Sequence, residues 1–178
     1  MMRPFKIVVA GPGKAEKTTF IKTVCDITVV SAGRGKSDGL QRGKAGDKPV
    51  AMDVGRINVS KDMALYLFGC APRQRFDLLA DTFAEGLLGL LVVLPSDDRE
   101  ATKEAAGVLS YFESFGDLPR VVVAHDLPPE SEAELREELE VDGEVPIVFC
   151  DVADKASAKK ALSQLLRLSR SILSGDTG

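Results

Sequence analysis

The sequence predicts an α/β fold: a mixed, mostly parallel six-stranded sheet flanked by helices and opened by a phosphate-loop-like turn. Three observations predict it. Short apolar runs alternate with stretches of helical period along the whole chain. Most of those runs are continuously apolar, as strands buried on both faces are. The first run, Phe5 to Ala10, leads directly into Gly11-Pro12-Gly13-Lys14-Ala15-Glu16-Lys17-Thr18-Thr19, the skeleton of a phosphate-binding loop.

The expected strands are Phe5 to Ala10, Val50 to Val59, Met63 to Phe68, Leu87 to Leu94, Arg120 to Ala124 and Val145 to Phe149. Val50 to Val59 differs from the others. Its residues alternate, and only Ser60-Lys61-Asp62 separates it from the next strand, so it predicts an antiparallel edge hairpin. Helices are expected from Lys17 to about Cys25, from about Gln74 to Glu85, from Asp98 to Phe115, from Ser131 to Glu140 and from Asp154 to Leu173. In the last, Leu162, Leu165, Leu166, Ile172 and Leu173 share one face and Asp154 is a natural N-cap. Residues 31–48 hold five Gly and five Lys or Arg and almost nothing apolar, which predicts a mobile loop.

With 178 residues, 44% of them hydrophobic, the chain is expected to fold as one domain, 1–178. A net charge of −4 argues against nucleic acid, whose binding needs clustered Lys and Arg. No run approaches membrane-spanning length and none has the make-up of a signal peptide, so a cytoplasmic protein without a membrane span is expected. Cys25, Cys70 and Cys150 lack ligand spacing and read as small buried hydrophobes. His125, alone at a strand end, reads as a capping or surface residue. The acidic run from Pro129 to Glu138 reads as a solvated helix whose apolar stripe is Leu135 and Leu139, and Asp53 as a strand residue without a second carboxylate to share a metal.

The phosphate loop departs from G-x-x-x-x-G-K-[ST] at one anchor. Gly11, Lys17 and Thr18 fit, but Glu16 stands at the second Gly, bringing bulk and negative charge to an anion site. The nucleotide-binding candidates are therefore a degenerate set: Gly11, Gly13, Lys14, Ala15, Glu16, Lys17, Thr18 and Thr19, with Thr18 the metal ligand if Mg²⁺ is bound. If no phosphate is bound, Lys17 is expected to pair with Glu16, Glu85 or a backbone carbonyl.

Ala51-Met52-Asp53-Val54-Gly55-Arg56-Ile57 and Phe68-Gly69-Cys70-Ala71-Pro72-Arg73-Gln74-Arg75-Phe76 complete a pattern. With the loop, they resemble bacterial Ras-like small GTPases of the gliding-motility type, over nearly the whole chain. Those relatives carry G-P-F-G-A-G-K-T-T, A-M-D-F-G-R-I and F-G-T-P-G-Q-E-R-F. The resemblance implies a Ras-like P-loop fold with strand order 2-3-1-4-5-6, GTP or GDP with Mg²⁺ as cofactor, and a roadblock-domain protein as partner. It also implies that residues 31–48 are a switch I-like loop and that Gly69, Pro72, Arg73 and Gln74 form a switch II-like segment. Arg73, Arg75 and Phe76 would be the partner surface.

Each departure falls on a nucleotide-contacting position. Lys48 and Pro49 stand where the family has threonines, Pro72 has no N–H for a γ-phosphate, and Arg73 takes the place of the water-orienting Gln, with Gln74 one residue too far along. The guanine-reading N-K-x-D is missing after Ala124, where His125-Asp126-Leu127-Pro128 follows. The expectation is a regulatory pseudo-GTPase with lost or weak nucleotide binding, no catalytic residues and no bound cofactor. The alternative is an NTP-binding switch with slow hydrolysis.

Overall fold

Strands β1 (Arg3–Ala10) and β5 (Leu87–Leu94) hold the middle of the sheet, and their side chains explain why. Ile7, Val8, Val9 and Ala10, like Leu90 to Val93, are fully buried, so both faces of each strand are covered. The computed structural model describes residues 3–12, 14–29, 53–69, 86–95, 99–113 and 118–173. Between β1 and β5 in sequence come helix α1 (Lys14–Val24), β2 (Ile27–Val29), β3 (Asp53–Ser60) and β4 (Met63–Gly69). After β5 come α2 (Arg99–Glu113), β6 (Arg120–His125), a single 3₁₀ turn (Pro129–Ser131) running into α3 (Glu132–Leu139), β7 (Ile147–Cys150) and α4 (Lys155–Leu173).

These strands form one seven-stranded sheet in the order β2-β3-β4-β1-β5-β6-β7. β4, β1, β5, β6 and β7 run parallel; β2–β3 and β3–β4 are antiparallel. Six strands follow the predicted order, and the seventh corrects it. β2 pairs Ile27 to Val29 with Arg56 to Val54, so β3 is not the edge strand the sequence suggested. The Asp26 N–H donates to the Arg56 carbonyl, and the Asp26 carboxylate accepts from the Asn58 N–H, which pins this three-residue strand in place.

Four helices cover the sheet among the described residues. α1 and α4 lie on one face, where Phe20, Ile21 and Val24 meet Ile7, Val9, Leu65 and Leu67, and where Ala158, Ala161, Leu162 and Leu165 close the layer. α2 and α3 lie on the other, burying Ala105, Val108, Leu109 and Phe112 together with Leu135 and Leu139 against Val8, Leu90, Val92 and Val122. The buried positions of α2 recur at i, i+4, i+7 and i+8, the stripe one helix face presents to a sheet. α4 starts as expected: the Asp154 carboxylate accepts from the Ser157 N–H at 2.9 Å, an N-cap on the third helical residue.

The expected helix at 74–85 and the loop at 31–48 lie outside the described residues, as do residues 50–52 of the hairpin strand. The last strand is Ile147–Cys150 rather than 145 to 149, since Pro146 precedes it and Val145 closes the turn from Asp142. No helix among the described residues is long and apolar enough to cross a membrane.

Candidate site at the carboxyl edge of the sheet

Because β1, β4, β5, β6 and β7 are parallel, all five end at one edge of the sheet, the edge where open α/β sheets gather ligands. At the end of β1 the chain reverses through Gly11. Its φ is +135°, and a Cβ built there would lie 2.3 Å from the Val93 carbonyl oxygen. Only glycine makes that turn against β5.

The turn is shorter than a phosphate cradle requires. α1 begins at Lys14, three residues earlier than the sequence suggested, so Lys14, Ala15 and Glu16 form a helical turn where the P-loop pattern needs open loop. Glu16, half-buried, sits in that first turn, where a carboxylate is favoured by the positive end of the helix.

Lys17 is only 4% exposed, and its Nζ donates to the Gly11 carbonyl at 2.8 Å. A backbone carbonyl, one of the partners expected for Lys17, is therefore among those it has. Thr18 Oγ1 donates to Asp53 Oδ2 at 2.5 Å, a short charge-assisted bond that ties α1 to the start of β3. The Thr19 carbonyl accepts from Thr23 Oγ1, one turn along the helix.

Asp53, read from the sequence as a strand residue without a second carboxylate to share a metal, is brought by the fold beside Thr18. The hairpin register sets Asp53 directly opposite Gly69. A Cβ on Gly69 would lie 3.6 Å from the Asp53 Cβ and 3.0 Å from Ile21 Cδ1. Counting back from Lys61-Asp62 would set residue 53 opposite residue 70; the register shift between Asn58 and Ser60 moves it to Gly69.

At the other end of this edge, His125 Nδ1 accepts from the Val152 N–H at 3.2 Å, which fixes the proton on Nε2 and matches the capping role expected. The Asp126 N–H donates to the Cys150 carbonyl. The stretch after β6 is thus tied to the end of β7 and the turn after it. Asp126 itself has φ +56°.

Gly13, Pro72, Arg73, Gln74, Arg75 and Phe76 lie outside the described residues, and of Lys14 and Ala15 only the backbone is described. Gly11, Lys17, Thr18, Asp53 and Gly69 are brought together. No three His, Cys, Asp or Glu residues cluster at metal-binding distance among the described residues. No family model matches the chain, and no curated protein matches it, so its functional reading rests on these residues.

Proposed function

We propose that this chain is a Ras-like regulatory protein of the small-GTPase type with lost or weakened nucleotide chemistry, acting through protein contacts with a roadblock-domain partner. The observation that carries the proposal is the bonding of its two phosphate-loop anchors. Lys17 is turned onto Gly11 and Thr18 onto Asp53, while the turn that would cradle phosphate is helical. A nucleotide would have to unwind that turn and face Glu16. A carboxylate about 4 Å from a phosphate charge costs on the order of 4 kcal/mol at an effective dielectric near 20.

One observation favours the second reading, an NTP-binding switch. Thr18 Oγ1 and Asp53 Oδ2 are hard oxygen donors of the kind Mg²⁺ takes, and they already lie together. With nucleotide, such an ion would neutralise phosphate charge. These donors fit the metal; the helical turn does not fit the phosphates. The switch reading keeps Thr18, Asp53 and Lys17 as the residues that would hold the pair.

Thermal unfolding with 1 mM GTP, GDP or ATP and Mg²⁺ separates the two. A dissociation constant near 1 mM raises stability by only about 0.4 kcal/mol, whereas one near 1 μM raises it by about 4 kcal/mol. The proposal expects the small shift and a gain of phosphate affinity in Glu16→Gly. A large shift with the native chain that Lys17→Ala abolishes would establish the switch instead. Capture of a roadblock-domain protein is expected to be independent of added nucleotide.

A further inference from the structure

β7 is the last strand of the sheet, paired on one side only among the described residues. The Val122 and Asp126 N–H groups donate to the Pro146 and Cys150 carbonyls, so residues of that parity face β6. Ile147 and Phe149 therefore direct their N–H and C=O groups toward the open edge. An open groove of about 550 Å³ runs beside this edge. Ile147, Val148 and Ala156 contribute its apolar surface; Lys159, Lys160 and Arg167 contribute its charge. None of the described residues lining it is acidic.

The geometry of α4 explains the groove. Ala158, Ala161, Leu162 and Leu165 face the sheet. Residues 156, 160, 163 and 167 follow the i, i+4, i+7, i+11 line that runs past the sheet edge instead. Among the described residues Lys159 and Lys160, both exposed, have no ion-pair partner, and the Arg167 guanidinium donates to Gln164 Oε1 at 3.3 Å.

We propose that this groove binds an extended acidic segment of a partner protein, which adds to β7 as an eighth strand and sets carboxylates against Lys159, Lys160 and Arg167. Main-chain pairing to Ile147 and Phe149 supplies affinity, and the basic row selects the sequence. Lys160 and Arg167 stand about 10 Å apart along the helix, and carboxylates at i and i+2 of an extended chain about 7 Å apart, within reach of flexible side chains. The acidic stretch of this chain itself, residues 130–140, is held as a 3₁₀ turn and α3, so it offers no extended strand. A second copy brings the same basic row, which repels. The surface is independent of the phosphate-loop site.

The test uses a fluorescein-labelled Val-Glu-Val-Glu-Val-Glu-Val peptide and the native chain, read by anisotropy at low salt. Saturable binding is expected, about tenfold weaker for Lys159→Glu with Lys160→Glu. N-methylation of alternate peptide amides, which blocks strand pairing and keeps every charge, is expected to abolish it. That arm needs no protein variant. Equal binding of the N-methylated peptide, equal binding by the double variant, or no saturable binding would each overturn the proposal. So would tighter, lysine-dependent binding to phosphatidylserine vesicles or an RNA homopolymer, or self-association through this face in sedimentation.

Discussion

Thr18 and Asp53 illustrate how a single bond can define a site. A hydroxyl bonded to a charged carboxylate is worth more than a neutral pair, and this one also joins a helix to a strand 35 residues away in sequence. Thr18→Val is expected to cost about 1.5 kcal/mol in urea unfolding, and the double variant with Asp53→Asn distinctly less than the sum of the two single changes. Strict additivity would show that the two side chains do not interact in solution. Cys25 gives a second prediction at this scale. Burial, with a smaller contribution from Asp26, pushes its thiol up to about 12 from an ordinary 9.0. The native state therefore holds this proton where the unfolded chain releases it. The stability involved is complete below pH 9 and is lost as pH rises toward 12. Stability measured against alkaline pH should fall over that window, and Cys25→Ala should flatten the fall. At pH 8 the native thiol should resist a disulfide reagent that modifies it at once in urea.

Among the elements, the legible ones are those whose pattern is long. α2 and α4 show their buried stripes over three turns or more, and β1 and β5 are continuous apolar runs, so period alone finds them. β2 escaped because three residues carry no period; Ile27 is 53% exposed, and only its pairing to β3 makes it a strand. The early start of α1 escaped for a different reason. The glycine spacing of a phosphate loop suggested open chain, yet Lys14, Ala15 and Glu16 are good helix formers and no second Gly interrupts them. The Asp154 cap of α4 was legible, and it predicts a cost: Asp154→Ala should lower stability by about 1 kcal/mol. Gly89→Ala should cost more, roughly 1–3 kcal/mol, because the added methyl would stand 2.7 Å from Leu165 Cδ1 and 3.0 Å from the Pro119 carbonyl. Melting both variants beside the native chain orders the two effects, and a harmless Gly89→Ala would mean that α4 packs less closely on β5.

At the scale of the whole molecule, the antiparallel wing β2-β3-β4 and the parallel block β5-β6-β7 meet at β1. Seven consecutive residue pairs, Arg3 with Met63 through Val9 with Gly69, join wing to centre. The same apolar cluster holds Leu65 and Leu67 of the wing, Phe20 and Ile21 of α1, and Leu162 and Leu165 of α4. Detaching the wing would expose that cluster, so the described parts should unfold together. The chain offers a clean way to see this, since it has no Trp and two Tyr. Tyr66 lies in β4, its ring 5.8 Å from the Arg56 guanidinium, and reports on the wing. Tyr111 lies in α2, edge-on to Phe112, and reports on the cover of the parallel block. In Tyr111→Phe the remaining emission follows the wing, and in Tyr66→Phe it follows the block. Both emission curves should coincide with the loss of helical circular dichroism in urea, with one midpoint per variant and a slope on the order of 2 kcal/mol per M. A wing signal that changes at lower urea than the block would show instead that β2, β3 and β4 form a separate unit, able to open at the strand that supplies Asp53 while the rest of the fold stays intact.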